Sequence, residues 1–468
     1  MNAAQQELRA DVLVIGFGKG GKIAARNLGR QGRRVVLVEE SERMYGGTCP
    51  NVGCVPSKGL VHHSRKRRPD DDPQAFYEAS VAKVQEVREF MRAGNYEGLN
   101  GLETVSVITG RAVFTDPHTV AVTLDGGERL TVAAETILIN TGSRPTVPDI
   151  PGLRAGEYTL TSTEMIESSR LPKRLAIIGG GYLGLEFAAI YQRFGARVTV
   201  LEGAERFLGR EDEDVAEAVR AILAGEGVEI ITGAQVREVR NDEHEATVAF
   251  DIDGVEHTVT ADAVLPATGR VPATDGLGLE FAGVRTAKNG AVEVDEHLRT
   301  SQQHIFALGD VNGGPQFTYI SLDDSRIVLD QLVGSGKRST ADRVAVPHTL
   351  FMTPPLATIG MTEKEARAAG HRLKIAREAV ADILAMPRAY AVEETRGLMK
   401  FVIDADTDLI LGAALLSVDA QELINTVALA MRHGITASEL RDSIYTHPSS
   451  TEAFNEVPSV IVHTDAAR

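Results

Sequence analysis

One sequence unit occurs twice in this chain, and each copy predicts a strand, a glycine-rich turn, a helix and a second strand. The first copy runs from the apolar DVLVIG at 11–16 through GFGKGG to RVVLVEE, and the second runs from RLAIIGG at 174–180 through GGGYLG to RVTVLEG. Such βαβ units bind dinucleotides, with the pyrophosphate at the N-terminus of the helix. Two copies therefore predict an α/β protein with two dinucleotide sites.

The glycines of each copy fit the pattern G-x-G-x-x-G, and an acidic residue follows the first glycine by 23 positions. Glycine suits the tight turn, the close approach of a pyrophosphate and the close packing of helix on strand, while the acid accepts hydrogen bonds from a ribose. The predicted residues are Gly16, Gly18, Gly21 and Glu39 in the first copy and Gly179, Gly181, Gly184 and Glu202 in the second. A carboxylate at 202 would repel a 2′-phosphate, so we expect NADH rather than NADPH, although Arg206 lies close enough to oppose this preference.

Both cysteines of the chain, Cys49 and Cys54, lie in GGTCPNVGCVPSK at 46–58. Residues five apart in a regular helix have Cα atoms about 8 to 9 Å apart, whereas a disulfide needs about 4.4 to 6.8 Å. A bridge here requires a distorted turn, which the glycines of the motif permit, and strained disulfides are easily reduced. The motif favours a redox pair over a four-ligand zinc site, and two unpaired buried thiols are the alternative.

Other polar residues gain interest from their positions. Lys58 is predicted on the same helical face as Cys54, where it would stabilise a thiolate or an anionic flavin. The adjacent His62 and His63 point to different faces and make a poor metal pair. The segment THPSSTE places His447 five residues before Glu452, a spacing that suits an imidazole base oriented by a carboxylate, although a histidine beside a proline is more often structural.

Length and charge restrict the class of protein. A chain of 468 residues is long enough for about three domains. A net charge of −16 disfavours nucleic acid and anionic membranes as partners. The start of the chain is polar and no apolar run reaches membrane-spanning length, so we expect a cytoplasmic protein with no membrane partner.

Together with ALGD at 307–310, these motifs resemble those of the class I pyridine nucleotide-disulfide oxidoreductases, the family of glutathione reductase, lipoamide dehydrogenase and mercuric reductase. The resemblance covers essentially the whole chain. It implies two Rossmann-type domains, for FAD and NAD, and a C-terminal α+β domain that forms a homodimer. The implied boundaries are 1–150 and 271–344 for the FAD domain, 151–270 for the NAD domain and 345–468 for the interface domain.

The same resemblance implies a role for each site residue. Cys49 would be the thiol that meets substrate, and Cys54 the thiol beside the flavin. His447 with Glu452 would be an acid/base pair that reaches the disulfide of the partner subunit. The implied cofactor contacts are Thr48, Lys58 paired with Glu186, Thr141, Gly142 and Asp310 for FAD, and Gly269 for NAD.

Some segments resemble one bacterial branch of the family, the reactive-chlorine-resistance flavoproteins, namely RMYGGTCPNVGC, GDVNGGPQFTYISLDD and FMTPPLATIGMTEKEAR. This resemblance implies NADH-dependent reduction of copper(II) or mercury(II) at Cys49 and Cys54, in defence against oxidative or metal stress. Soft thiolates suit such ions. One alternative is a dihydrolipoamide dehydrogenase or another small-disulfide reductase, although MTPP at 352–355 departs from the usual THPE. A second is a thiol-based oxidant sensor or metal-sequestering flavoprotein.

Overall fold

The computed structural model describes residues 6–154 and 157–466, so the polar start at 1–5 lies outside the described residues. The helices are α1 (Lys19–Arg30), α2 (Thr48–Asn51), α3 (Cys54–Ser64), α4 (Pro73–Asn100), α5 (Ser162–Glu167), α6 (Tyr182–Phe194), α7 (Glu213–Gly225), α8 (Thr318–Val333), α9 (Glu363–Ala368), α10 (Pro387–Ala391), α11 (Ala420–Arg432) and α12 (Ala437–Arg441).

The strands are β1 (Gln6–Ile15), β2 (Val35–Glu39), β3 (Val105–Thr109), β4 (Arg111–Asp116), β5 (Thr119–Thr123), β6 (Arg129–Ile139), β7 (Ser143–Pro145), β8 (Arg174–Ile178), β9 (Arg197–Glu202), β10 (Glu229–Thr232), β11 (Gln235–Asn241), β12 (Ala246–Ile252), β13 (Val255–Ala261), β14 (Ala263–Pro266), β15 (Arg270–Pro272), β16 (Ile305–Ala307), β17 (His348–Leu350), β18 (Leu356–Gly360), β19 (Leu373–Ala379), β20 (Leu398–Asp404), β21 (Ile410–Leu416) and β22 (Ile461–Thr464).

The first sheet has the strand order β3-β2-β1-β6-β5-β4, and β16 pairs with β6. The strands β1, β2, β3, β6 and β16 are parallel, whereas β4 and β5 form an antiparallel edge. In β1 and β2, valine and isoleucine sit in near-continuous apolar runs, as expected for strands that are buried on both faces. The late segment β16 thus returns the chain to the sheet in which it began.

The second sheet has the order β10-β9-β8-β14, all parallel, and an antiparallel sheet β11-β12-β13 follows β10 in the chain. The short antiparallel pair β7 and β15 joins the segments before and after this region. The predicted α/β fold with two Rossmann-type units is therefore confirmed, while the predicted domain boundaries stay a prediction.

The C-terminal region forms a six-stranded antiparallel sheet of order β17-β18-β21-β20-β19-β22, with α11 packed on it. Strands β20 and β21 form an antiparallel hairpin in this sheet. Residues of β17, β18 and β21 share a buried apolar cluster with α6 of the second unit. This region is the α+β domain that the sequence predicts.

Helix α4 is longer than the sequence pattern predicts. Helical spacing of apolar residues covers only 76–91, but the helix begins after Asp72, whose side chain accepts a hydrogen bond from Ala75 N at 2.8 Å, and continues through Gly94 and Gly98. Near its far end, Asn95 Oδ1 accepts a hydrogen bond from Lys22, and the ring of Tyr96 stacks on Tyr45, the residue before the cysteine motif. No helix within the described ranges is long and apolar enough to cross a membrane.

Candidate active site

The carboxyl ends of the parallel strands in the first sheet bring the predicted FAD residues to one edge. Gly16 follows β1, Glu39 ends β2, and Thr141 and Gly142 follow β6. Asp310 follows β16 and accepts a hydrogen bond from Ser143 Oγ at 2.6 Å. In open α/β sheets, ligands bind at the carboxyl edge, at the point where the strand order reverses.

Asn140 connects the two halves of this edge, and sequence reasoning missed it. Its Oδ1 accepts a hydrogen bond from Gly21 N at 2.8 Å, and its Nδ2 donates to Leu308 O at 2.6 Å. A Cβ at Gly16, where φ is +98°, would lie 2.5 Å from the Asn140 carbonyl oxygen, and one at Gly18 would lie 2.5 Å from Asn140 Oδ1. The first two glycines of the fingerprint are therefore required by this asparagine.

The second fingerprint leaves its central glycine open. A Cβ at Gly179, where φ is +109°, would lie 2.7 Å from Ala267 O, and one at Gly184 would lie 2.2 Å from Gly179 O. In contrast, no atom lies within 4 Å of a Cβ placed at Gly181, the residue before α6, or at Gly269. Backbone N–H groups at the start of a 13-residue helix, with open space in front of them, fit a pyrophosphate.

The two predicted ribose acids make matching contacts. Glu39 Oε2 accepts a hydrogen bond from Phe17 N at 2.8 Å, and Glu202 Oε2 accepts one from Gly180 N at 2.6 Å. Burial raises the pKa of Glu39 to about 7, against the opposing effect of its backbone hydrogen bonds. Near neutral pH this carboxyl therefore both donates and accepts hydrogen bonds, which suits a sugar diol.

The cysteine motif forms the distorted turn that the spacing predicts. Helix α2 begins at Thr48 and contains Cys49, the chain leaves helical geometry at Gly53 (φ −132°, ψ −121°), and α3 begins at Cys54. Both thiols are free; Cys49 is half-buried and Cys54 is exposed. The break between the helices brings the two cysteines close enough for each to shift the pKa of the other.

The two thiols are electrostatically unequal. The hydrogen bond that Cys49 donates to Cys54 lowers the pKa of Cys54 to about 6, and the positive charge of Lys58 and the hydroxyl of Thr318 act in the same direction. The same hydrogen bond, together with burial, raises the pKa of Cys49. In the reduced pair, the proton therefore lies on Cys49 and the negative charge on Cys54. Thr318, whose Oγ1 is 3.7 Å from Cys54 Sγ, begins α8 and was not predicted.

Lys58 and Glu186 form the predicted ion pair, with Nζ and Oε2 2.8 Å apart. Glu186 is buried on α6, and its other oxygen accepts a hydrogen bond from Phe351 N at 3.0 Å. The Lys58 ammonium also lies 4.6 Å from the centre of the Phe351 ring. The Lys58 cation is thus held beside Cys54 by Glu186 of α6, which is in turn bound by Phe351 of the loop after β17.

A chain of hydrogen bonds links Arg270 through Ser143 to Asp310. Arg270 Nε donates to Ser143 Oγ at 2.8 Å, and its NH2 group donates to Ser143 O at 2.7 Å. Burial lowers the pKa of Arg270, opposed by the charges of Asp310 and Cys54. The predicted Thr141 uses its hydroxyl to bond Ala273 O at 2.7 Å. Ser143 and Arg270 lie on β7 and β15, whose pairing no local motif reveals.

His447 and Glu452 form the predicted imidazole–carboxylate pair, with Nδ1 and Oε1 2.9 Å apart. Ser449 N donates to the other carboxylate oxygen at 2.8 Å, and these two hydrogen bonds lower the pKa of Glu452. The side chain of His447 is 72% exposed. Within the described part of the chain it bonds Glu452 and neither cysteine, so the structure does not bring the two predicted centres together in one subunit.

The remaining histidine motif, His62 and His63, lies near the end of α3. The rings of His62 and His63 meet edge to face with centroids 5.4 Å apart, and burial lowers the pKa of His63. Across residues 6–154 and 157–466, no group of three or more His, Cys, Asp or Glu side chains could hold a metal ion.

Family models match nearly the whole chain. The family described as pyridine nucleotide-disulphide oxidoreductase matches residues 10–325, and its dimerisation domain matches residues 346–458.

Individual relatives agree with these matches. The chain is 44% identical to the probable pyridine nucleotide-disulfide oxidoreductase RclA of Escherichia coli, over 96% of this chain and 98% of RclA. It is 36% identical to the mercuric reductase of Staphylococcus aureus, over 92% of this chain and 79% of that protein. A solved Cu(II) complex of the HOCl-induced flavoprotein disulfide reductase RclA from Escherichia coli superposes with a TM-score of 0.91 at 43% identity, covering 96% and 99% of the two chains.

The inequality of the thiols is testable with variants in which Cys54 is the sole thiol. We expect the rate of Cys54 alkylation by iodoacetamide in Cys49→Ser to rise at a pH below the usual range of a thiol, because the serine hydroxyl still donates a hydrogen bond. In Cys49→Ala the midpoint should lie about one pH unit or more higher, because the largest contribution to the lowered pKa is lost. The thiolate is present above the pKa and is protonated as the pH falls through it. Equal midpoints in the two variants would contradict the assigned hydrogen bond.

Proposed function

The chain belongs to the pyridine nucleotide-disulphide oxidoreductase family, and on that premise we propose that it passes electrons from NADH through FAD to the Cys49–Cys54 disulfide and on to a metal ion, copper(II) or mercury(II). Members of this family are flavoprotein enzymes that use FAD and a pyridine nucleotide. The observation that carries the proposal is the charge arrangement at the cysteines, where a thiolate at Cys54 is stabilised by Lys58 and Thr318.

The residues present fit both dinucleotides. FAD would lie along the carboxyl edge of the first sheet, against Gly16, Glu39 and Asp310, and NAD would lie at Gly181 and Glu202. When bound, NADH would supply a hydride and FAD would carry its electron pair to the disulfide. The protein places the cysteines, stabilises the thiolate through Lys58 and keeps the proton on Cys49.

A metal ion is a chemically suitable acceptor for this dithiol. Two soft sulfur ligands of unequal charge favour Cu(I) and Hg(II) over hard cations, so an incoming ion would meet the Cys49–Cys54 pair directly. The solved complex of RclA contains Cu(II), and a second relative is a mercuric reductase. These likenesses support a metal-ion substrate, and a role in oxidative or metal stress in the cytoplasm accords with it.

NADH is the favoured nucleotide because Glu202 places a carboxylate where NADPH would carry its 2′-phosphate. The carboxylate is fixed by hydrogen bonds from Gly180 N at 2.6 Å and Ala204 N at 2.7 Å. The opposing cation, Arg206, directs its guanidinium to the Glu211 carbonyl oxygen at 3.0 Å. The side chain that could neutralise a 2′-phosphate is thus held by another partner.

A homodimer would complete the site. His447 is oriented by Glu452 yet highly exposed, and the nearby Ile444 is fully exposed. An apolar residue in that position is stabilised when a second subunit covers it. We therefore propose that His447 acts at the cysteines of the partner subunit, in the region matched by the dimerisation domain.

Two alternatives make different predictions. A reductase or dehydrogenase of a small disulfide would use the same cysteines with His447 as its acid/base group. An oxidant sensor or metal-sequestering protein would need the cysteines alone. The retained Lys58–Glu186 pair and the oriented His447 argue against the sensor, because they serve electron and proton transfer rather than detection.

The primary test is anaerobic NADH consumption by the FAD-loaded protein with copper(II), mercury(II) or oxidised lipoamide. We expect turnover with a metal ion and not with lipoamide. Cys54→Ser should reduce metal turnover by roughly a hundredfold or more, because the dithiol can no longer form. Reduction of FAD by NADH in the same variant serves as the control. Full metal turnover in Cys54→Ser would mean that electrons leave directly from FAD, and turnover with lipoamide alone would support the disulfide alternative.

The nucleotide preference is tested by Glu202→Ala, with Glu205→Ala as the matched control. Glu205 is an exposed acid in the same loop. We expect Glu202→Ala to lower the ratio of kcat/KM for NADH to that for NADPH by roughly tenfold, since it removes both a ribose acceptor and a repulsive charge. A similar change in Glu205→Ala would assign the effect to net charge instead.

The role of His447 is tested with mixed dimers of Cys49→Ser and His447→Ala subunits. If His447 acts on the partner's cysteines, one of the two sites is intact, and reduced mixed dimers should exchange with a small aromatic disulfide in a fast phase of about half the wild-type amplitude. If His447 acted within its own subunit, neither site would be intact and the fast phase would be missing.

His447→Ala should impair thiol–disulfide exchange more than metal reduction, because metal reduction needs no proton transfer to sulfur. Equal losses in the two reactions would contradict this division of roles.

A further inference from the structure

Lys22 is a buried lysine in the first turn of α1, and the relay described above does not use it. It directly follows Gly21, the third glycine of the first fingerprint, and it is 9% exposed. The second copy of the unit has Leu185 at the equivalent position, fully buried. The βαβ fold therefore accepts an apolar side chain here, and the lysine needs a separate explanation.

The partners of Lys22 lie in the redox motif and on α4. Its Nζ donates hydrogen bonds to Gly46 O at 3.2 Å and to Asn95 Oδ1 at 2.5 Å. Asn95 is itself oriented by a hydrogen bond from its Nδ2 to Met91 O at 2.6 Å. Burial lowers the pKa of Lys22 to about 8, so the ammonium is still mostly charged at neutral pH.

The Gly46 carbonyl belongs to a segment that is held residue by residue. Asn51 Nδ2 donates hydrogen bonds to Tyr45 O at 3.0 Å and to Gly47 O at 2.8 Å. The carbonyl oxygen between these two, Gly46 O, accepts its hydrogen bond from Lys22 instead. This segment leads directly into Cys49, and the Lys22 charge attracts a negative charge on that sulfur. Lys58 acts in the same way on Cys54. Each sulfur thus has its own cation.

We propose that Lys22 is a positioning residue of the redox pair, which fixes the Cys49 side of the turn through Gly46 O and whose positive charge favours the reduced pair over the disulfide. This inference rests on the proposed redox role of Cys49 and Cys54. On reduction the S–S bond breaks, two electrons and one proton enter, and the pair gains one negative charge. That charge lies mainly on Cys54, across the pair from Lys22, so the lysine stabilises the reduced pair by a longer-range attraction that the neutral disulfide lacks.

The test measures the dithiol–disulfide equilibrium of the FAD-loaded protein in anaerobic mixtures of reduced and oxidised dithiothreitol, with the free thiols counted after acid quenching and alkylation. Lys22→Met should shift the equilibrium constant about tenfold towards the disulfide, which corresponds to about 30 mV for two electrons. Lys22→Gln, which keeps a hydrogen-bond donor without the charge, should shift it in the same direction. Lys22→Arg should stay within about threefold of the wild type.

Arg30→Met is the matched control, because it removes the same charge from an exposed position at the other end of α1 and should leave the equilibrium unchanged. A wild-type equilibrium in both neutral variants would overturn the proposal, as would an equal shift in Lys22→Arg. Lys22→Gln supplies the answer if Lys22→Met fails to fold. Since the measurement uses neither NADH nor a metal ion, it separates a failure of this inference from a failure of the proposed metal reduction.

Discussion

The ion pair between Lys58 and Glu186 ties together the three parts of the chain that build the redox centre. Lys58 is on the cysteine helix and Glu186 is on the helix of the second nucleotide unit. Phe351, whose N–H donates to the carboxylate, lies between β17 and β18 of the C-terminal sheet. A buried carboxylate is costly to desolvate and is tolerated only when it is paired and hydrogen-bonded. The three segments must therefore pack in one arrangement, and the cation beside Cys54 is fixed as a result.

The duplication of the βαβ unit shows which features belong to the fold and which to the chemistry. Both copies place an acid at the end of the second strand, and both acids accept a backbone N–H from the glycine turn. The copies diverge at the residue after the third glycine, which is Lys22 in one and Leu185 in the other. The shared features suit a ribose and a pyrophosphate, whereas Lys22 lies where the redox motif packs against the first unit.

Sequence reasoning predicted what is local and missed what is distant. The fingerprints, the cysteine turn and the His447–Glu452 pair each lie within a short stretch, so their residue types and spacing were informative. Asn140 and Thr318 act through contacts with residues 119 and 264 positions away, respectively, and no local pattern marks them. The length of α4 was missed for a different reason: its glycines lower helix propensity, but packing of its far end on the redox segment outweighs that cost. The one local signal for Lys22 was a lysine directly after G-x-G-x-x-G, where the second copy has a leucine.

The distribution of charge over the two sulfur atoms explains why the centre needs groups from so many elements. In the proposed electron path, the reduced pair carries its negative charge on the sulfur that exchanges electrons with the cofactor, and the other sulfur remains available to substrate. Lys58 and Thr318 hold the charge on Cys54, and the hydrogen bond from Cys49 keeps the proton away from it. Release of that proton then requires a base near Cys49. Within the described part of the chain the oriented imidazole of His447 bonds Glu452 rather than Cys49, and in the proposed homodimer a second subunit would bring that imidazole to Cys49.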